Sequence, residues 1–216
     1  IWDRYGCCLT SMLKRAITTP HIVLTEADKL WIPTTKAWGK FVYLYDHQPL
    51  LSFSIPAYSC SFLYFLHPLL PIELNERHYG GLTAMDKVET VEKHGAEQVL
   101  IWRRSYDIPP PSVDKSSPYH PSNDARYSHL DFPEEFTETL KTTLDRVLPY
   151  YKKNIEPLLK EGKNVVIAAH GNSLRALVKH LDNISEDVIP NLNIPTGCPL
   201  VYEFDDDMNV VPSDQA

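Results

Sequence analysis

A histidine lies at the junction of a predicted strand and a predicted helix, in the segment His170-Gly171-Asn172-Ser173. Residues 165–169 form a continuous apolar run rich in β-branched residues, which is typical of a strand buried on both faces. From Leu174 onward apolar residues recur at i, i+3, i+4 and i+7, as in a helix with one buried face. Because a helix N-terminus offers free N–H groups to an anion, we interpret His170 as a residue placed to meet a phosphate.

The same junction also has a purely structural interpretation. Gly171 lets the backbone bend between the strand and the helix, and Asn172 or Ser173 can cap the helix. His170 would then simply bond a neighbouring backbone group. These residues alone leave both interpretations open.

A second group of reactive side chains lies in the segment LNERHYGGL, residues 74–82. Glu76, beside Arg77, His78 and Tyr79, is a candidate general acid or base. Further cations are numerous enough to hold a doubly charged phosphate, and the arginines among them suit bidentate contacts: Arg15, Lys87, Arg103 and Arg104. In the alternative interpretation, the paired arginines only favour the dipole of a helix that ends there, and Glu76 pairs with one of them.

The composition indicates a folded globular protein rather than a disordered or nucleic-acid-binding one. The 216 residues (24.7 kDa) are 43% hydrophobic and 23% charged, values typical of a globular domain. A net charge of −7 argues against binding to nucleic acid. The cysteines, Cys7, Cys8, Cys60 and Cys198, have neither CxxC spacing nor a paired framework, which favours a reducing compartment.

Residues 39–72 differ abruptly in composition from the rest of the chain. Phe41 to Ile72 contains one acidic residue, Asp46, and no Lys or Arg, and no formal charge lies between Pro49 and Pro71. A stretch of that length could span a bilayer. However, its prolines disfavour a helix and its flanks lack basic anchors, so we do not expect a membrane segment. A strand pair or a loosely packed loop is the alternative.

Elsewhere the chain alternates predicted strands and helices. A strand runs into a helix start near residues 9–16, and Asp86 with Glu89 has the spacing of a capping box that opens a helix. A long helix would carry Phe136 to Ile155 on one face, with a kink at Pro149 and its end at Gly162. Residues 200–204 are predicted to form the last strand.

Four runs resemble the cofactor-dependent phosphoglycerate mutases, glycolytic enzymes of the histidine phosphatase superfamily: LNERHYGGLT, IWRRSYDIPPP, VVIAAHGNSLRALVKHL and NIPTGCPLVYE. The resemblance covers residues 9–38 and 73–210. It implies a three-layer α/β sandwich with a mostly parallel sheet. It also implies interconversion of 3- and 2-phosphoglycerate through a phosphohistidine primed by 2,3-bisphosphoglycerate, with no metal. The family is cytoplasmic and commonly dimeric, and its ligands are small phosphoglycerates.

The resemblance also implies roles for individual residues. Glu76 matches the acid/base of the transfer, and His170 matches the second histidine, which supports the transferring phosphoryl group. Arg15 lies on the Lys-Arg-Ala phosphate contact of the family. The remaining candidates for substrate binding are Arg77, His78, Tyr79, Lys87, Arg103, Arg104, Gly171 and Asn172.

The sequence departs from the family pattern at the nucleophile. The family opens with a strand ending in Arg-His-Gly, whose His accepts the phosphoryl group, and no Arg-His-Gly occurs here. The pair His94-Gly95 lies in a charged helical stretch and cannot substitute for it. We therefore expect the first strand and helix to be missing, the edges of neighbouring strands to be exposed, and mutase activity to be negligible.

The apolar insert is the second departure. It separates Trp38 from Glu73, where the family runs on directly, and its composition suggests a translated intron. We thus predict one incomplete domain over residues 1–216, interrupted at 39–72. Two alternatives remain: a bisphosphoglycerate mutase or phosphatase, which shares this site, and a non-catalytic protein that binds phosphoglycerates.

Overall fold

The computed structural model describes residues 5–11, 13, 16, 41–45, 72–196 and 198–212. The strands are β1 (Tyr5–Thr10), β2 (Phe41–Tyr45), β3 (Val113–Asp114), β4 (Glu135–Phe136), β5 (Asn164–Ala168), β6 (Leu200–Phe204) and β7 (Val210–Val211). The helices are α1 (Lys87–His94), α2 (Ala96–Arg104), α3 (Leu140–Tyr150), α4 (Glu156–Lys160) and α5 (Gly171–Leu181).

The main sheet has the strand order β1-β5-β2-β6-β7, and β3 pairs with β4 separately. Strand β5 pairs in parallel with both β1 and β2, and these three strands form the parallel part of the sheet. Strand β6 pairs antiparallel with β2 and with β7. The prediction of a strand at 200–204 is confirmed, but it is not the last strand, because β7 follows it.

Strand β2 changes the interpretation of the apolar insert, because the first part of the insert enters the main sheet. Val42 lies opposite Val165 of β5 and opposite Tyr202 of β6. Both β5 and β6 are therefore paired on two sides, and the expectation that their edges would be exposed is wrong. No helix in the described part of the chain is long and apolar enough to cross a membrane. Residues 46–71 of the insert lie outside the described residues.

The predicted strand–turn–helix unit forms the centre of the fold. Val165, Ile167 and Ala169 point to one face of β5 and join a core that includes Leu174 and Leu177 of α5. The alternate residues of β5 are buried as well. The strand is thus buried on both faces, as its uninterrupted apolar run predicted.

The helical segment before β5 is divided rather than continuous. Phe136 lies in β4, and α3 starts only after Thr139, whose hydroxyl accepts a bond from Thr142 N at 3.1 Å. Pro149 has no N–H to donate to the preceding turn, and after α3 the chain widens into a π-helical turn over Tyr151–Ile155. Helix α4 then ends before Gly162, as predicted.

The predicted cap at Asp86 is confirmed. Its carboxylate accepts bonds from Val88 N at 2.7 Å and Glu89 N at 3.3 Å, and so satisfies free N–H groups at the start of α1. Gly95, with φ of 81°, separates α1 from α2. The cap and this glycine set the position of α2, whose last turn carries Arg103 and Arg104.

Gly80 fixes the loop that carries the acidic candidate, and we predict that it tolerates no side chain. Its φ is +55°, and an added Cβ would lie 2.1 Å from Pro111 O. Gly80→Ala should cost about 1–2 kcal/mol in backbone strain and a further 1–3 kcal/mol from the clash. Gly95→Ala is the matched control, because its φ is +81° and nothing lies within 4 Å of an added Cβ.

Chemical denaturation of both glycine variants measures this difference. Gly95→Ala should show the strain alone, and Gly80→Ala the larger loss. Equal losses for the two variants would show that the contact with Pro111 does not restrict the loop.

Candidate functional site

The loop after residue 74 meets the N-terminus of α5 through one carboxylate. Glu76 Oε1 accepts a bond from Asn172 Nδ2 at 2.5 Å, and Oε2 lies 3.4 Å from Asn172 N. Arg77 N also donates to Oε1 at 3.0 Å. The carboxylate therefore occupies the position at a helix N-terminus where negative charge is stabilised. The candidate acid/base and the strand-to-helix junction are thus parts of one site.

The side chain of Asn172 connects the neighbours of this carboxylate. Its Nδ2 also donates to Tyr79 Oη at 3.0 Å, while its Oδ1 accepts from Arg175 Nη1 at 2.8 Å. The guanidinium only donates and the carboxylate only accepts, so the orientation of the carboxamide is determined. Arg175 is a residue that the sequence analysis missed, because it lies among the apolar positions of α5 and no spacing rule singles it out.

Positively charged side chains line a small cleft of about 160 Å³ beside the Glu76 carboxylate. It is lined by Tyr79, Arg103, Arg104, Gly171, Asn172 and Arg175. Burial lowers the pKa of Arg175, and the charge of Arg104 lowers it further. Crowded guanidinium groups at a helix N-terminus form a site that favours an anion, and their donors match phosphate or carboxylate oxygens. Arg103 and Arg104 thus line this cleft from the last turn of α2, and their contact with substrate stays a prediction.

A larger cleft of about 1080 Å³ shares Tyr79 and Arg103 with the small one. Its lining includes several of the predicted residues: Glu76, Arg77, His78 and Lys87. Lys87 is exposed at the start of α1. Arg15 lies outside the described residues. The two clefts together bring the remaining predicted binding residues to one region.

Two of these candidates make extensive contacts within the protein. The buried Arg77 donates to Trp102 O at 3.2 Å and to Arg103 O at 3.1 Å, and so holds the end of α2. Its guanidinium also lies 4.6 Å from the centre of the Tyr79 ring. Its Nε is buried and has no hydrogen-bond partner among the described residues. Arg77 thereby positions the arginine pair, and its contact with substrate stays a prediction.

Both ring nitrogens of His78 form hydrogen bonds within the protein. Gly80 N donates to Nδ1 at 3.0 Å, so Nε2 carries the proton and donates to Tyr119 O at 3.1 Å. Burial lowers the pKa of His78, and the nearby His120 acts in the same direction, against the contacts with Tyr119 and Glu138. A neutral imidazole with both nitrogens engaged fixes the turn after Tyr79, and its contact with substrate stays a prediction.

His170 lies behind the clefts rather than in their linings. It is 2% exposed and precedes α5, where its backbone N donates to Ser173 Oγ at 3.1 Å. Its Nε2 is 2.7 Å from the fully buried Ser11 Oγ. Strands β1 and β5 are parallel, so Ser11 and His170 both follow the carboxyl ends of paired strands. The sequence analysis did not connect Ser11 with His170, because only the parallel pairing of these strands brings the two residues together.

Arg146 is another residue that the sequence analysis missed. From α3 its guanidinium donates to the carbonyls of the segment before Arg77, including Asn75 O at 3.0 Å. It also forms an ion pair with Glu138, with Nε to Oε1 at 2.7 Å. The loop that carries Glu76 is therefore fixed to α3.

No cluster of three or more His, Cys, Asp or Glu side chains in the described ranges is arranged to hold a metal ion. Among the described residues, the charged groups at the small cleft are the guanidinium groups of Arg103, Arg104 and Arg175, with the Glu76 carboxylate beside them. Such a set suits proton transfer beside a bound anion.

The sequence of this chain is similar to those of known enzymes. Residues 112–213 match the family model of the histidine phosphatase superfamily (branch 1). The chain is 48% identical over 199 residues to the 2,3-bisphosphoglycerate-dependent phosphoglycerate mutase of Erythrobacter litoralis (strain HTCC2594), covering 92% of this chain and 72% of that protein. It is 46% identical over 204 residues to the protein of the same name from Zymomonas mobilis subsp. mobilis (strain ATCC 31821 / ZM4 / CP4), covering 94% and 74%.

Solved structures with low sequence identity share the fold. A mycobacterial glucosyl-3-phosphoglycerate phosphatase superposes with a TM-score of 0.55 at 14% identity, covering 95% of this chain and 74% of that one. The alpha-ribazole phosphatase of Shigella flexneri gives 0.53 at 16% identity, covering 98% and 75%. These likenesses establish the α/β fold and carry no statement about substrate.

Proposed function

The chain belongs to the 2,3-bisphosphoglycerate-dependent phosphoglycerate mutases of the histidine phosphatase superfamily, and from this premise we propose that its site binds 3- and 2-phosphoglycerate. The observation that supports the proposal most is the small cleft, where Arg103, Arg104 and the N-terminus of α5 surround space beside Glu76. A phosphoglycerate carries a phosphate and a carboxylate, and guanidinium groups bind both kinds of oxygen. The binding partners are small phosphoglycerates in the cytoplasm.

In this proposal each side chain of the site has one task. Arg103 and Arg104 hold the anionic groups beside Gly171 and Asn172 at the N-terminus of α5, where the helix dipole favours negative charge. Glu76, held beside the cleft by Asn172, gives or takes the proton of the substrate hydroxyl. The role implied for His170, support of the phosphoryl group during transfer, would require its ring to leave Ser11 Oγ and face the cleft.

The same cationic groups fit 2,3-bisphosphoglycerate, whose two phosphates and carboxylate need several positive donors. Arg103, Arg104 and Lys87 are the described residues that would hold it. When bound, it supplies the phosphoryl group that primes a mutase. Because the 216-residue sequence contains no Arg-His-Gly, we propose that this chain by itself binds these anions without turning them over.

Isothermal titration calorimetry with 3-phosphoglycerate tests the binding site. Arg104 is exposed, so Arg104→Met should leave the fold intact while it removes a charge-assisted contact. Loss of one such contact, about 1.5–3 kcal/mol, should weaken binding roughly 10–100-fold. Lys160→Met is the control, because it removes one positive charge on α4, where Lys160 pairs with Glu156.

Unchanged affinity is expected for the control. If Arg104→Met and Lys160→Met bind 3-phosphoglycerate equally well, the cleft is not the site. If the unmodified chain binds no 3-phosphoglycerate at millimolar concentration, the proposed function is wrong.

A further inference from the structure

We propose that Arg175 is a positioning residue, which acts on Glu76 by fixing the orientation of the Asn172 side chain. This inference rests on the proposed function, in which Glu76 is the proton-transfer group. Arg175 lies one helical turn beyond Asn172 on α5 and is 8% exposed. Side chains at i and i+3 lie on the same side of a helix, which explains why the two residues meet.

The hydrogen bonds run in one direction, because Arg175 donates to Asn172 and Asn172 in turn donates to Glu76. Arg175 Nε donates to Leu192 O at 3.0 Å, which anchors the guanidinium on the segment after α5. Its Nη1 donates to Asn172 Oδ1 at 2.8 Å. With Oδ1 engaged, the Asn172 amide must present its two N–H bonds on the opposite side, where they reach Glu76 Oε1 and Tyr79 Oη.

Without the guanidinium the carboxamide would be held only from the side of Glu76 and Tyr79. A carboxamide rotated by 180° places its oxygen toward the Glu76 carboxylate, where two acceptors repel, but it can also swing away to water. The planar fork of arginine holds two acceptors at fixed angles, and no other side chain reproduces that geometry. In Arg175→Lys a single ammonium group would therefore have to serve both acceptors, Leu192 O and Asn172 Oδ1, which the native guanidinium binds together.

The side-chain amide of Asn172 reports its orientation directly in ¹⁵N–¹H spectra of the labelled 216-residue chain. In the unmodified protein its two N–H protons donate to a carboxylate and to a phenol, so they should be well separated and slow to exchange with water. In Arg175→Met both signals should move toward the positions of a free amide and exchange faster. Arg175→Lys should give an intermediate spectrum.

Lys179→Met is the matched control. Lys179 lies one turn further along α5 and, like Arg175, donates to a backbone carbonyl of the following segment, Ile184 O at 2.6 Å. It makes no contact with Asn172 among the hydrogen bonds of the described residues. A general loosening of α5 would move the Asn172 signals in this variant too, whereas a positioning role of Arg175 would leave them in place.

Unchanged Asn172 signals in folded Arg175→Met would overturn the proposal. If that variant does not fold, Arg175→Lys decides, because unchanged signals there would equally show that the fork is not needed. Movement of the signals in Lys179→Met to the same extent would also overturn it.

Affinity for 3-phosphoglycerate separates positioning from direct contact with the anion. Arg175→Met should weaken binding about tenfold, as expected for loss of one ordered hydrogen-bonding group. In an Asn172→Ala background the same substitution should change affinity less than about twofold, because the residue through which it acts is gone. A tenfold loss that persists in that background would assign Arg175 to the anion itself. Failure of the unmodified chain to bind would refute the proposed function, while the amide spectra would still decide the role of Arg175.

Discussion

Labelled 2,3-bisphosphoglycerate is expected to leave no phosphate on the 216-residue chain, with transfer on the order of 10⁶-fold below a mutase that contains Arg-His-Gly. The reason is chemical. The two-step route requires a histidine nitrogen that is free to attack, and the family places it in a motif that this sequence does not contain. Without a nucleophile, the binding residues and the acid/base can stabilise a bound anion, but they cannot transfer its phosphoryl group.

His170 does not offer a substitute nucleophile. It is 2% exposed, and its Nε2 lies 2.7 Å from Ser11 Oγ. A nitrogen in that environment is held against a hydroxyl instead of facing a cleft. His78, which lines the larger cleft, has both ring nitrogens occupied by Gly80 N and Tyr119 O.

The measurement traps the protein at alkaline pH, where phosphohistidine survives, and compares it with a phosphoglycerate mutase that contains the motif. Circular dichroism and 3-phosphoglycerate binding confirm that the tested chain is folded. Acid-labile, alkali-stable phosphate on the chain would contradict the prediction. Loss of that label in His170→Gln would then identify His170 as the acceptor.

The local elements of this fold could be read from the sequence because their signals are local. The apolar run of β5 and the periodicity of α5 each lie within a few residues, and Asp86 caps the helix beside it. Strand β2 could not be predicted with the same certainty. Its apolar run resembles that of β5 but lies in a proline-containing insert, where only the pairing with β5 and β6 distinguishes a central strand from a loop.

The sequence indicated residues that belong to the candidate site, but it did not indicate how they are arranged in space. Glu76 and Asn172 are separated by 96 positions, so no spacing rule could indicate that they share a hydrogen bond. Arg77 was grouped with the substrate residues through its neighbours in the sequence, yet its guanidinium holds carbonyls at the end of α2. Nothing in the sequence indicated that Arg175 belongs to the site. A charged residue between the apolar positions of an amphipathic helix is ordinarily assigned to the solvent-exposed face.

Arg146→Met is expected to lower the free energy of unfolding by about 3–5 kcal/mol, the loss typical when one partner of a buried ion pair is removed. The side chains of Arg146 and Glu138 are only 20% and 10% exposed. Truncation would leave the Glu138 carboxylate uncompensated. It would also remove donors from the carbonyls of Asn75 and Glu76, at 3.0 and 3.4 Å, in the loop that carries the acid/base.

Thermal and urea unfolding measure this effect against a matched substitution. For a domain of this size the melting temperature should fall by roughly 6–20 °C. Lys160→Met also removes the cation of a helix-borne ion pair, but its side chain is 58% exposed, and about 0.3–0.5 kcal/mol is expected for an i,i+4 pair at the surface. Similar losses for the two variants would show that the contacts of Arg146 do not stabilise the loop.

A double variant separates the buried charge from the lost carbonyl contacts. Arg146→Met with Glu138→Leu leaves no unpaired carboxylate, so it should recover part of the stability that Arg146→Met loses. Recovery should remain incomplete, because Glu138 Oε2 also accepts from His78 N at 2.8 Å, and the carbonyls before Arg77 would still lack their donor. The part of the free energy of unfolding that the double variant recovers measures the cost of the unpaired Glu138 carboxylate. The part that it does not recover measures how strongly α3 holds the loop of Glu76 in place.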